Sequence, residues 1–355
     1  MKKIFLLGLL CTVTGASAEN NFLDASVYHA INTKAVEKHI IPQYEKFYTN
    51  MVIWDTAVEN LCANPTMETF DKTKGVFKHV AQGWSGVQAL NFGSITYFDS
   101  YKKFDLWPDK KSFIKRNLKK TLKNKNNNIQ DKIMGGSASP AVMSFNTSER
   151  LLFKMNEVVI NDAYACDLLR TQSKYAVQRA GQVLNDWKST DGYRTIFIGE
   201  DAETVEAHIM STNELYKASM LGLQLIVDKA IGEPLSINKK KGRPYFAQYP
   251  YSRTSKIAIQ GMYNSSRDLV LNIFKSVIIT QNGHSKYNRL VRMFDKGQMA
   301  IDTLNKDIFI LASSKEGREK LAHVQKTISM VKSLSVREIN MALGLTLGFN
   351  GLDGD

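Results

Sequence analysis

Apolar residues recur along this chain at the spacing of a helix face. From Phe70 they continue through Val76, Phe77, Val80, Trp84, Val87 and Leu90, a stripe built from steps of three and four. Val158 to Trp187 repeats the pattern with Ala163, Cys166, Leu169, Tyr175, Ala180 and Val183, and Glu203 to Ile231 repeats it with Ile209, Leu215, Met220, Leu223 and Ile226. Further helical segments start at Ser255 and Tyr287, and another covers Arg318 to Leu334. The chain holds only seven prolines and few alternating runs, so an all-α architecture of antiparallel helices is predicted. Breaks fall at Lys123 to Asn128, Gly135 to Pro140 and Lys239 to Pro250. A division just after Asp191-Gly192 gives two helical bundles of similar size, 19–195 and 196–355, and no tandem repeat is visible.

Residues 1–18 break the pattern. Lys2 and Lys3 precede a short apolar run, Ile4 to Val13, and Ala16-Ser17-Ala18 supplies small residues before Glu19. This is the layout of a Sec-type signal peptide cleaved after Ala18, and the run is too short to span a bilayer. A bulky Leu10 ahead of Cys11 disfavours a lipoprotein signal, so a periplasmic location is expected. Two cysteines then remain, Cys62 and Cys166; export permits a disulfide, and two buried thiols are the equal alternative. Neither stands in a Cys-x-x-Cys pair, which excludes a cysteine-based zinc or redox site.

The net charge of +13 is unevenly spread. Lys110, Lys111, Lys115, Arg116, Lys119, Lys120, Lys123 and Lys125 form one cluster, and Lys239 to Lys241 with Arg243 form another. Such clusters suit phosphate or an anionic membrane surface, or simply a solvated basic face. Aromatic interleaving is sparse and no nucleic-acid module is present, so nucleic acid is not an expected partner.

Candidate chemistry concentrates in two stretches. Ser144-Phe145-Asn146-Thr147-Ser148-Glu149 opens an amphipathic run after the small-residue loop, and Asn146 and Glu149, three apart, share one helical face. They read either as N-cap and N3 of a capping-box relative, or as an amide and a carboxylate directed at one site. The second stretch, Trp84 to Asp109, contains Trp84-Ser85-Gly86-Val87-Gln88, then Phe92-Gly93, then Trp107-Pro108-Asp109. Gly93 reads as a helix stop, Trp107-Pro108 as an extended turn, and Trp84 and Trp107 as core anchors.

In that order, a helix ending Trp-x-x-Val-Gln, a Phe-Gly, and a Trp-Pro-Asp before a basic helix resemble the imelysin-like family of exported bacterial proteins. Glu149-Arg150-Leu151-Leu152-Phe153 resembles its central Glu-x-Leu-Leu-Phe segment. The ending Gly348-Phe349-Asn350-Gly351-Leu352-Asp353-Gly354-Asp355 resembles the Gly-Phe-Asn-x-x-Asp-Gly-Asp terminus of its predicted periplasmic branch. The resemblance implies two helical bundles with a site at their junction and an association with iron uptake. The first-named members were described as metallopeptidases. Their hallmark, Gly-x-His-x-x-Glu, pairs His and Glu as metal ligands; here Ser144, Asn146 and Glu149 hold those positions. An amide oxygen does not replace imidazole for zinc or ferrous iron.

Peptidase chemistry finds no further support: there is no His-Glu-x-x-His, and none of the six histidines has a glutamate three residues on. No serine or cysteine stands in a nucleophile elbow. Hard oxygen ligands would still suit ferric iron or another divalent or trivalent ion, with Glu149 as the first candidate. The expected cleft comprises Asn146, Glu149, Asp109, Arg253 and Asp353, and Asp355, Tyr249 and Tyr251 are further oxygen donors. Each has a plainer reading: Asp109 caps the basic helix, Asp353 solvates a terminus, and Arg253, in the place of the family's Arg-Ser segment, pairs with Glu149. The expectation is an accessory binding protein for iron acquisition, with a metal ion or small ligand as its partner. A metal-dependent peptidase and an envelope protein-interaction module are the competing classes.

Overall fold

The computed structural model describes residues 23–109, 111–155, 157–200 and 204–344. The leader, Lys110 and the terminal segment with Asp353 and Asp355 lie outside the described residues. Among the described residues every regular element is helical. Ten helices carry the architecture: α1 (Ala25–Ala35), α2 (Ile41–Ala63), α3 (Lys78–Val87), α4 (Phe113–Asn124), α5 (Phe145–Phe153), α6 (Ala163–Lys188), α7 (Val205–Gln224), α8 (Ser255–Asp268), α9 (His284–Asp302) and α10 (Lys315–Leu343).

Local chemistry sets their ends. Asp162 accepts a hydrogen bond from the Tyr164 amide and starts α6, and Ser314 accepts one from Gly317 and starts α10. Lys125 at φ 43° stops α4, and Gly344 at φ 65° stops α10. The stripe that begins at Phe70 is cut at Phe77, between Met67–Val76 and α3. Wider turns join α1 to α2 at Val36–Ile40 and lengthen α7 and α8 at their ends, at Leu225–Ile231 and Leu269–Ile273.

The first half is built by α2 packing on both α6 and α3, and the second by α7 and α9 packing on α10. The halves are tied together where α3 lies along α8 and where α1 docks on α7. At the α3–α8 joint a Cβ added to Gly261 would stand 1.9 Å from Ser85 Oγ, so glycine sets how closely these helices approach. Cys62 on α2 and Cys166 on α6 form a disulfide, which settles the question their spacing left open. Trp84 is fully buried among Phe47, Phe104 and Phe145. Trp107 is only half-buried and donates its indole N–H to the Phe246 carbonyl at 2.9 Å.

Candidate functional site

Helix α5 begins two residues earlier than a cap at Asn146 requires. Ser144 is its N-cap, so Asn146 and Glu149 lie inside the helix and the capping-box reading fails. Both side chains are buried, Asn146 at 7 % exposure and Glu149 at 1 %. Glu149 instead bonds across the junction. Its Oε1 accepts hydrogen bonds from the Tyr251 amide at 3.0 Å, the Ser252 amide at 2.8 Å and the Ser252 hydroxyl at 2.8 Å.

The loop that supplies these donors is held in unusual backbone geometry. Tyr249 (φ 53°) and Arg253 (φ 61°) both adopt the left-handed region, which side-chain-bearing residues rarely occupy. Those two turns point successive amides inward as a concave anion cradle, here filled by a side chain of the same protein. Arg253 does not complete it. Its guanidinium stacks over Phe309 at 3.4 Å, so the expected Arg253–Glu149 pair is absent; the geometry of its own turn directs the side chain outward. The cation beside Glu149 is its neighbour Arg150.

A second carboxylate shares the junction. Asp105 is 6 % exposed, and its Oδ2 accepts from Trp84 Nε1 at 3.0 Å and Gln248 Nε2 at 2.6 Å. Gln248 also donates to Gln88 Oε1 at 3.0 Å. Asn146 and Tyr249 flank Asp105, although Asn146 Oδ1 and the Tyr249 hydroxyl complete no hydrogen bond of full geometry. Burial pushes Glu149 up to about 7, against the donors of Ser252 and Tyr251 and the charge of Arg150. Burial likewise pushes Asp105 up to about 6, against Gln248, Trp84, Asn146 and Tyr249. Tyr249, buried and close to both carboxylates, is held well above the ordinary phenol range, which opposes a phenolate ligand role.

Outside this cluster opens a cleft of about 660 Å³. Asp109, Lys115 and Lys119 line one side, Arg150 and Lys154 the end of α5, and Tyr245, Phe246 and Tyr251 the other side. Asp109 has two contacts: Oδ1 accepts from the Phe113 amide at 2.6 Å, as the capping reading expects, and Oδ2 lies 3.5 Å from Arg150 Nη2. Of the expected site residues, Asn146, Glu149 and Asp109 therefore gather around the Arg150 segment, Arg253 turns away, and Asp353 lies outside the described residues.

The imelysin family model matches residues 40–334. The chain belongs to the imelysin family. An imelysin-like protein from Psychrobacter arcticum superposes with a TM-score of 0.77 at 14 % identity, covering 92 % of this chain and 98 % of that one. A protein from Parabacteroides distasonis, assigned as an iron-regulated protein A precursor, superposes at 0.69 and 14 % identity, covering 88 % and 96 %. No curated protein matches significantly. At such identities these likenesses speak to the fold alone.

The imelysin metal expectation can be tested against the donors present. Three protein donors already occupy Glu149 Oε1, and two occupy Asp105 Oδ2. A cation would have to displace N–H and O–H groups that point at the same oxygens. Among the described residues no three His, Cys, Asp or Glu side chains converge as a metal centre needs. This donor set does not fit the family's His/Glu metal. One other constellation has the outline of a hydrolase: Ser265 Oγ lies 3.3 Å from His39 Nε2, and His39 Nδ1 lies 2.6 Å from Asp268 Oδ2. Ser265 and His39 are each 1 % exposed, so no substrate reaches them, and the trio fastens α8 to the turn after α1.

The sequence reading does not single out Asp105, Gln88 or Gln248 as site residues. Gln88 and Asp105 both lie inside the stretch that carried the family resemblance, and Trp84 and Gln88 are one helical turn apart, which was the available signal.

Proposed function

We propose that this imelysin-family chain is an exported, non-catalytic binding protein that serves bacterial iron acquisition, with its ligand held at the junction of the two helical halves. The observation that carries this reading is the closure of Glu149 by Tyr251 and Ser252. The glutamate that the family pattern offers to a metal acts here as a latch between α5 and the loop before α8. Asn146 in place of histidine agrees with that, since it removes the other ligand. The link to iron is supported by the family and by the neighbour assigned as an iron-regulated protein A precursor. Periplasmic export is supported by the leader pattern of residues 1–18. Iron enters this reading as cargo of the pathway rather than as an ion resting on Glu149.

Metal content and affinity of the purified mature chain, measured beside Glu149→Gln and Glu149→Ala, test it. The expected result is the same low iron and zinc content in all three and no chelator-sensitive peptide cleavage. Near-stoichiometric metal that disappears in both variants would overturn it. Loss of the gene should also slow growth when iron is scarce; equal growth would remove the iron link.

A further inference from the structure

The cleft beside the latch carries a charge pattern that the latch does not use. Its volume, about 660 Å³, is that of a site for a metabolite-sized ligand. Lys115 and Lys119 are four apart on α4, so they project from one face, and both reach the cleft. Arg150 and Lys154 are also four apart and line it from the other helix. Asp109 is the one carboxylate among the described lining residues, and the Phe113 amide and Arg150 already engage it. Lys115, Lys119 and Lys154 have no ion-pair partner among the described residues.

The opposite wall is aromatic. Tyr245 and Tyr251 stand 6.0 Å apart at 47°, and the Arg150 guanidinium lies 4.9 Å from the Tyr251 ring centre. Tyr251 is fixed from behind, because its amide donates to Glu149. The basic positions of α4 that would pass as a solvated face therefore meet a preset ring surface across a concavity. Arg150 is oriented by Tyr251 but only loosely satisfied by Asp109 at 3.5 Å, the outer limit of a useful contact. An incoming phosphate or carboxylate offers it a closer, charge-assisted partner.

We propose that this cleft binds a small amphiphilic anion, a phosphate or carboxylate group carried on an aromatic or apolar body. The acidic group sits among Lys115, Lys119, Lys154 and Arg150, and the body lies against Tyr245 and Tyr251. This deepens the binding reading above by naming the ligand class, and it requires no metal.

Calorimetric titration of the full mature chain with 1-naphthyl phosphate and 1-naphthoate tests it, with 1-naphthol and inorganic phosphate as the half-ligands. Both amphiphilic acids should bind, and each half-ligand should bind about tenfold more weakly or worse. The double variant Lys115→Gln/Lys119→Gln, changed only at exposed positions, should weaken both acids about fivefold or more with an unchanged Tm. Tyr251→Leu, which keeps the amide that holds Glu149, should weaken the naphthyl ligands several-fold more than inorganic phosphate, which loses only the orientation of Arg150. Equal binding of 1-naphthol, or indifference to the double lysine variant, would overturn the proposal. So would sedimentation with phosphatidylglycerol vesicles that 1-naphthyl phosphate does not compete away, which would place the lysines on a lipid surface. Because no metal enters this titration, its failure leaves the metal measurement on Glu149 untouched, and the reverse also holds.

Discussion

Glu149 and Ser252, 103 residues apart, are joined twice: one carboxylate oxygen accepts both the amide and the hydroxyl of the serine at 2.8 Å. The Tyr251 amide adds a third bond to the same oxygen. A short helix in the first half of the chain thereby fixes a loop in the second. The loop in turn presents Tyr245 and Tyr251 to the cleft.

Truncating that carboxylate should be costly and replacing it by an amide should not. Glu149→Ala leaves the part-buried Tyr251 and Ser252 amides without their acceptor, while the Ser252 hydroxyl keeps Thr254, a loss of about 2 to 3 kcal/mol from the penalty for unmet donors. Glu149→Gln keeps an acceptor oxygen in the same place, so the cost should stay within about 1 kcal/mol. Urea unfolding of the two variants beside the wild type measures both. Similar losses in the two would show that the charge, not the acceptor, holds the loop.

Stability should fall between mildly acidic and mildly alkaline pH. Glu149 is raised from its ordinary 4.5 to about 7, and Asp105 from 3.8 to about 6. Between those limits the folded chain holds protons that the unfolded chain releases, so the stabilising contribution is complete below about pH 4 and is lost as pH rises through 6 to 7. The loss attributable to Glu149 should be roughly 1 to 3 kcal/mol between pH 5 and 8 and absent in Glu149→Gln. Parallel stability curves for the two proteins would refute this. Asp268 acts in a separate window: burial raises it, but hydrogen bonds from His39 and Asn272 outweigh burial and leave it below 3.8. Its contribution is present at neutral pH and disappears only as pH drops through that lowered value.

The α3–α8 joint should tolerate no side chain at Gly261. A Cβ there would meet Ser85 Oγ at 1.9 Å and Ser85 Cβ at 2.7 Å, so rotating the hydroxyl alone cannot relieve the clash. Gly261→Ala should destabilise by about 1 to 3 kcal/mol, and adding Ser85→Gly should recover part of it. Chemical unfolding of the single and double variants reads the coupling; additive losses would mean the helices separate freely.

Removing the Cys62–Cys166 bond should lower stability by about 2 to 4 kcal/mol, since it closes a long loop in the unfolded chain. Thiol titration of the oxidised protein in denaturant should find neither cysteine free. Two reactive thiols would show that the bond does not form.

The helical class was legible because it rests on periodicity, which survives any arrangement of the helices. Cap positions were less so: a two-residue shift in the start of α5 converts Asn146 and Glu149 from capping residues into inward-facing ones. The partners of Glu149 were not legible at all. They are mostly backbone amides, and their direction depends on left-handed turns at Tyr249 and Arg253, two residue types that carry no such signature. Arg253 was the natural electrostatic guess for Glu149, yet the same turn sends it to Phe309. Asp105 was visible as a residue but not as a site, because its burial depends on Trp84 and Gln248, which lie 21 and 143 positions away. The basic run on α4 was legible as charge; that Lys115 and Lys119 face an aromatic wall belongs to tertiary structure.

The docking of α1 on α7 bears on how the molecule is made. Asn32, buried in α1, donates to the His208 carbonyl and accepts from Thr212, partners about 180 positions downstream. While the chain is being synthesised, α1 therefore waits with its inward stripe of Tyr28, Ile31 and Ala35 incompletely covered until α7 has emerged, and the Tyr28 hydroxyl meets the Leu343 carbonyl only once α10 is complete. A fragment ending near residue 200 should retain the α2–α6 disulfide pair and yet self-associate through that bare stripe. On that expectation, a cut near the midpoint of the sequence should yield pieces that complete each other.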